Sequence, residues 1–262
     1  MNVFLYIMIF IAGTVFGSFF SLAVYRIPRK ENIVYVQSHC TTCNHKLSFW
    51  DLIPILSYVF LRGRCRYCHD KIRARYILLE IFSGLVFLLI ALSFRISIFS
   101  TLQEFVLLFL TYLFIVGLFI IGGIDKENFV IMDNVCLYLV FISCLKLLFL
   151  GVTNQFVWSH LLGFICVPIF LFLIDFVVKI DKTKEEPIGL GDIKYLAIIG
   201  LFLGIEMQLL IGFLSFFLAG IGVLIHHFKQ IPWGYYLSIA SIIMILIQGY
   251  FQGLMPVISF GK

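Results

Sequence analysis

Four of the seven cysteines stand in two pairs, Cys40-Thr41-Thr42-Cys43 and Cys65-Arg66-Tyr67-Cys68. Two residues between cysteines let both thiolates of one turn face a single point, and two such turns complete a tetrahedron around Zn²⁺. The 21 residues between the pairs slightly exceed the usual spacing, which a longer hairpin absorbs. Two pairs in one loop favour a metal over a thioredoxin-like redox couple, and a reducing cytosol disfavours a disulfide framework. The pattern therefore predicts a structural zinc on Cys40, Cys43, Cys65 and Cys68. His39, His45 and His69 flank the pairs as possible replacement ligands or as ordinary neighbours of the site. Cys136, Cys144 and Cys166 fall in apolar runs and read as buried thiols.

A second chemistry rests on two carboxylates. Asp125 closes the apolar run Ile120-Ile121-Gly122-Gly123-Ile124-Asp125, and Asp192 opens another in Gly189-Leu190-Gly191-Asp192. If they meet, two close carboxylates share a proton and titrate as a unit. One can then take a proton from water while the other donates to a peptide carbonyl or departing amine. Each aspartate could equally cap its own helix in the headgroup zone, because a single GxGD is a short motif. Asp133 begins the next run and reads as a cap or an orienting group. Glu80 and Asp175 lie within apolar runs, where an ionisable group is costly and usually paired. The expected partners are the basic loop for Glu80 and Lys179, at i+4, for Asp175. No Ser/His/Asp order, HExxH helix, Walker loop or dinucleotide fingerprint is present.

The elements that position these groups are membrane spans. The 262 residues are 62% hydrophobic and only 13% charged, with 30 Phe. Soluble domains are about 45–50% apolar and about 25% charged, so a disordered chain and an ordinary cytosolic enzyme are both excluded. Apolar runs occupy about 3–25, 76–94, 105–124, 134–152, 157–178, 195–205, 208–225 and 234–258. At roughly 20 residues per spanning helix, the reading is an all-α polytopic membrane protein of about eight transmembrane helices. A small cytoplasmic zinc-binding subdomain separates the first two. The expected organisation is a first helix at 1–25, the four-cysteine zinc subdomain at 26–75, and a transmembrane domain at 76–262. Residues 1–25 lack the basic start and small-residue cleavage site of a signal peptide and read as a retained helix. Gly13, Gly17, Ser18 and Ser21 on that helix would let a neighbour approach closely.

Charge distribution orients the frame. The loop 26–75 holds ten Lys/Arg against three acids. With that loop inside, sixteen of the nineteen basic residues fall on the inner side and only Arg95, Lys146 and Lys262 on the outer. The positive-inside rule then puts both termini outside and both aspartates at the cytoplasmic face. The net charge of +5 is thus a topological signal, and no nucleic-acid partner is expected.

These blocks together resemble the type IV prepilin peptidase family, which includes competence-pseudopilin leader peptidases. The resemblance runs from about residue 13 to 258. It is carried by Gly17-Ser18-Phe19 through Tyr25-Arg26-Ile27-Pro28, then Ser38-His39-Cys40 to Cys43 and Trp50-Asp51-Leu52-Ile53-Pro54. It continues through Leu56-Ser57-Tyr58, Arg62-Gly63-Arg64-Cys65-Arg66-Tyr67-Cys68, Arg75-Tyr76 and Glu80. Ile124-Asp125 with Asp133, and Gly189-Leu190-Gly191-Asp192 with Lys194, resemble the family's two aspartate motifs. Thr41 and Met132 stand where the family often has Pro.

The resemblance implies a GxGD-type aspartic endopeptidase, multi-pass in the bacterial cytoplasmic membrane, with Asp125 and Asp192 catalytic and the four loop cysteines on zinc. It implies removal of a short basic leader from type IV prepilins or pseudopilins, typically between Gly and Phe. It also implies methylation of the new N-terminal amine with S-adenosylmethionine, to which no residue here can be attached. The partners so implied are those protein substrates and the lipid bilayer. Because the cysteine loop is itself basic, Glu127, Glu185 and Glu186 are the expected contacts of a basic leader. Two other readings compete: a general GxGD intramembrane protease without pilin selectivity, and a non-enzymatic transporter with a zinc-stabilised loop. A transporter should show acids deep within spans and repeat-related broken helices; here the key acids lie at span edges and no repeat is evident.

Overall fold

The computed structural model describes residues 2–33, 35, 37–152, 157–180, 189–226 and 231–254. The helices are α1 (Asn2–Arg26), α2 (Leu56–Phe60), α3 (Arg75–Ser93), α4 (Leu102–Asn128) and α5 (Asp133–Val152), followed by α6 (Trp158–Ile180), α7 (Leu190–Leu203), α8 (Ile205–His226) and α9 (Trp233–Leu254). A 3-10 turn covers Phe49–Leu52. Among the described residues there is no β-strand beyond two isolated bridges, so the all-α expectation holds.

Among the described residues, seven helices are long and apolar enough to cross a membrane: α1, α3, α4, α5, α6, α8 and α9. The sixth apolar run, expected at about 195–205, becomes α7, whose 14 residues extend about 21 Å at 1.5 Å per residue. From Ile193 to Leu203 nearly all of α7 is buried, as expected of a helix that is apolar all round.

The chain divides into two compact units, Met1–Thr101 and Leu102–Lys262. In the first, α1 packs against α3. Of the small residues expected to admit a neighbour, Gly13 and Gly17 do so. A Cβ on Gly13 would lie 2.8 Å from Gly84 Cα, and one on Gly17 would lie 2.8 Å from Glu80 Cα, so neither position has room for a side chain. Ser83 donates to the Gly13 carbonyl at 2.7 Å, and Phe16 stacks on Phe87. Where apolar transfer gives helices no reason to leave lipid, close backbone approach and such hydrogen bonds are what hold them together.

In the second unit, α4 packs on α5 and α9, while α7 is surrounded by α5, α6, α8 and α9. The most apolar stretches of α4 and α9 are 61% and 56% buried, against 22% for α6, so α4, α7 and α9 form the interior. Phe114 of α4 lies flat against Phe202 of α7 at 3.9 Å between ring centroids. Lys146 sits within α5, where its ammonium donates to the Phe202 carbonyl at 2.6 Å and satisfies the end of α7.

Candidate active site and metal centre

The cysteine pairs lie on two matching knuckles in the first unit. In one, Cys40 N–H donates to His45 C=O at 3.0 Å and Asn44 N–H returns to Cys40 C=O at 2.9 Å. In the other, Cys65 N–H donates to Asp70 C=O at 2.8 Å and His69 N–H to Cys65 C=O at 3.0 Å. Asn44 and His69, each just after the second cysteine, take positive φ (55° and 58°) and close the turns. Thr42 Oγ1 reaches across to Asp70 Oδ2 at 2.5 Å, and the His45 ring lies on Tyr67.

All four sulfurs lie within 4.8 Å of one another, with Cys40 Sγ and Cys68 Sγ 3.8 Å apart. A Zn–S bond of about 2.3 Å in a tetrahedron sets S···S edges of about 3.8 Å, so the donor set and its size both fit zinc. The thiols do not suit one another without a cation. Backbone N–H groups of Cys43 and Thr42 hold Cys40 down to about 6. At Cys68 the Asp70 N–H favours the thiolate, yet desolvation and the three neighbouring sulfurs push the thiol up to about 12. The three flanking histidines lie outside the converging set.

Asp51 braces the second knuckle. Its carboxylate takes the Arg66 Nε–H at 2.7 Å and both the backbone N–H and hydroxyl of Ser48. Burial works against the charge, but those Ser48 bonds and the Arg66 guanidinium hold Asp51 below the ordinary carboxylate range. Glu80 of α3 accepts the Ile55 backbone N–H at 2.8 Å, so its loop partner is backbone and not a basic side chain.

The aspartates belong to the second unit. Asp125 is 4% exposed, one turn before the end of α4. Its Oδ2 accepts the Tyr235 N–H at 3.0 Å, and the Gly234 N–H also reaches the carboxylate. Those groups are in the first turn of α9, whose free N–H donors and dipole favour an anion. Asp125 thus does for α9 what an N-cap does from within the chain. The approach needs a glycine, since a Cβ on Gly234 would lie 3.1 Å from Asp125 Oδ2 and 3.2 Å from Ile131 Cδ1.

Asp192 is half-buried in the first turn of α7, with its N–H donating to Gly189 C=O at 3.0 Å. Its carboxylate folds back over Gly189, where a Cβ would stand 3.0 Å from Oδ2. A Cβ on Gly191 would lie 3.3 Å from Ile131 Cβ, so Ile131 touches the glycines beside both aspartates. Asp125 is the charged group that acts on Asp192. Asp192 and the α9 turn that holds Asp125 thus lie on segments that meet at Ile131, although the two aspartates are 67 residues apart in the chain.

Asp133 begins α5, exposed, with Lys194 Nζ at 3.5 Å. Asp175 is buried in α6, while the side chain of its expected partner Lys179 lies outside the described residues, as do Glu185 and Glu186. Glu127 is exposed two residues after Asp125.

Sequence reasoning missed the α9 contribution. Behind Asp125, Tyr195 shares a 2.7 Å hydrogen bond with Ser238, which donates to Gly234 C=O at 2.9 Å. Pro232 and Gly234 mark a helix start, but nothing local says that an aspartate 110 residues earlier would cap it.

Residues 11–94 match the bacterial peptidase A24 N-terminal domain, and residues 112–225 match the type IV leader peptidase family. A prepilin leader peptidase/N-methyltransferase of Vibrio cholerae serotype O1 is 33% identical over 217 residues, 78% of this chain and 79% of that protein. The protein of the same name from Bacillus subtilis strain 168 is 32% identical over 202 residues, 76% and 74% of the two chains. That of Aeromonas salmonicida is 28% identical over 271 residues, covering 91% and 89%. No solved structure matches.

Proposed function

Because this chain belongs to the type IV leader peptidase family, we propose that it is a bifunctional prepilin leader peptidase and N-methyltransferase. It is a multi-pass protein of the bacterial inner membrane that cleaves the leader of prepilins and methylates the new N-terminus. Asp125 and Asp192 form the catalytic dyad. The observation that carries this assignment is that Gly191, next to Asp192, and Gly234, which holds Asp125, both abut Ile131, although they come from helices far apart in the chain.

The chemistry follows from the pair. Sharing one proton, one carboxylate removes a proton from water as the oxygen attacks the scissile carbonyl carbon. Its partner protonates the carbonyl oxygen, and on collapse the departing amine takes a proton as the C–N bond breaks. The backbone N–H groups of Gly234 and Tyr235 keep Asp125 oriented through these steps. The glycines at 189, 191 and 234 keep the rim of the site low enough for an extended substrate backbone.

Zinc on Cys40, Cys43, Cys65 and Cys68 is structural, since four protein thiolates leave no open position. The loop between α1 and α3 has little apolar core, and metal binding supplies folding energy it lacks. S-adenosylmethionine supplies the methyl group for the second activity, with no residues assigned. The excess of basic residues between α1 and α3 supports a cytoplasmic loop, termini outside, and a dyad at the cytoplasmic face. A prepilin or pseudopilin would present its basic leader there, and Glu127 is the described acid beside the dyad able to meet it.

The test is cleavage of a prepilin substrate by the purified chain in lipid, with Asp125→Asn and Asp192→Asn assayed separately. Each should lose at least about a hundredfold in kcat, the usual worth of positioned acid–base groups. Near-normal cleavage by either inserted variant would refute the dyad. Equal cleavage of unrelated transmembrane helices would point instead to a general intramembrane protease.

A further inference from the structure

The loop of the first unit carries an exposed apolar face on its 3-10 turn and on α2. On the 3-10 turn, Phe49 and Trp50 are 76% and 68% exposed; on α2, Leu56, Val59 and Phe60 are 53%, 58% and 80% exposed. An open groove of about 400 Å³ runs between these elements, lined in part by Trp50, Leu56, Phe60 and Arg66. The zinc knuckles of the same loop expose Asn44, His45 and Lys46 instead.

The depth of this face is fixed by one hydrogen bond. The Ile55 N–H donates to Glu80, which lies five residues inside α3 from Arg75 and against Gly17 of α1. At 1.5 Å per residue, Glu80 is about 7 Å inward from the start of α3 and Gly17 about 13 Å inward from Arg26 at the end of α1. The 19 residues of α3 extend about 28 Å, only just the thickness of a hydrocarbon core. Ile55 therefore sits no higher than the headgroup boundary. The backbone is bent to put it there. Ile55 holds φ 61° and ψ −53°, and Leu56 N–H closes back on Pro54 C=O at 2.6 Å. That is the strained form of the three-residue turn, rarely accepted by a β-branched residue. It aims the Ile55 N–H at Glu80 and leaves the two short apolar helices side by side.

Charge at the margin complements a lipid. Arg62 and Arg64, which follow α2, and Arg73 and Arg75, at the start of α3, are all exposed, while Arg66 on the groove is neutralised by Asp51 at 2.7 Å. Aromatic side chains at headgroup level with arginines beside them are what an anionic membrane surface binds.

We propose that the 3-10 turn and α2 form an interfacial wedge that binds the anionic phospholipid surface of the leaflet at the Arg26–Arg75 end of α1 and α3. The wedge inserts Phe49, Trp50 and Phe60 among the acyl-chain ends and sets Arg62 and Arg64 on lipid phosphates. It holds the zinc knuckles against the membrane at a fixed height.

The full chain is tested with the photoreactive amino acid benzoylphenylalanine at position 50 or 60, and at Tyr35 as an exposed loop control, in vesicles. The vesicles are phosphatidylcholine alone or phosphatidylcholine with phosphatidylglycerol. Positions 50 and 60 should give lipid adducts severalfold above position 35, and more of them with phosphatidylglycerol. With Arg62→Gln and Arg64→Gln together, the gain from phosphatidylglycerol should fall at least about fivefold, the worth of one basic residue at an anionic surface. Adducts to residues 102–262 or to an added prepilin peptide in place of lipid would overturn the proposal. So would lipid yields at 50 and 60 no higher than at 35, or equal in both vesicles.

Discussion

The cysteine site and the aspartate site are assembled by opposite means. The four sulfurs come from residues 40 to 68, on two knuckles whose closing hydrogen bonds span five residues or fewer. The carboxylates come from α4 and α7, and the N–H donors that orient one of them from α9. A local site can form as soon as its two turns and a metal ion meet. A long-range site exists only when a whole bundle has packed. The first is thus robust to changes in distant helices, and the second is sensitive to any of three.

The sharpest break between them is at the aspartates. Asp125→Asn and Asp192→Asn, whose cleavage should fall at least about a hundredfold, should retain one zinc per chain by elemental analysis. Loss of zinc in either would mean that the two sites are not independent. The converse variant, Cys65→Ser, or treatment with a chelator, removes metal whose binding free energy is folding free energy. Proteolysis should then cut within residues 26–75 while α4–α9 stay protected, and zinc content should fall below one.

Gly234→Ala tests the long-range side more finely. Its added Cβ would stand 3.1 Å from Asp125 Oδ2 and 3.2 Å from Ile131 Cδ1, so the carboxylate must shift by a few tenths of an ångström. A shift of 1 Å can cost about a hundredfold, so a kcat loss of roughly tenfold is expected, with normal insertion and zinc content.

Asp51→Asn does the same for the local side. It removes the Arg66 pair and weakens the Ser48 bonds, and should destabilise the loop by about 1–3 kcal/mol in limited proteolysis, leaving kcat unchanged. The sign of its pH dependence follows from the lowered folded value. Asp51 stabilises the loop fully above its unfolded pKa of about 3.9 and loses that contribution as pH falls through the folded one. The variant and the parent should therefore converge in acid.

The smallest effect is expected for Glu127→Lys. A single exposed charge is worth about 0–1 kcal/mol, so KM for a basic leader should rise up to about fivefold with kcat unaltered. An unchanged KM would remove Glu127 from leader recognition.

Much of this is legible in the sequence. The Cys-x-x-Cys spacing encodes its own knuckle, because both sulfurs of a turn are set by two intervening residues. The apolar runs encode helices, because lipid offers no other partner for backbone polar groups. Gly13 and Gly17 announced a close helix neighbour, though not that it would be α3. The cap of α9 by Asp125 was illegible, as was the bond from Ile55 to Glu80, since each joins residues whose own surroundings are silent about the other.

By itself, the sequence determined a helical membrane frame, a basic loop with a metal-sized set of thiols, and two aspartates at the ends of apolar runs. Those properties depend on composition and on spacings of a few residues. Only the tertiary structure decided that Ile131 abuts the glycines beside both aspartates and that a third helix supplies N–H donors to one of them. It alone sinks the loop to the level of Glu80. Such contacts depend on which helix faces pack together, a choice made by the fit of many side chains at once and written in no short stretch of chain.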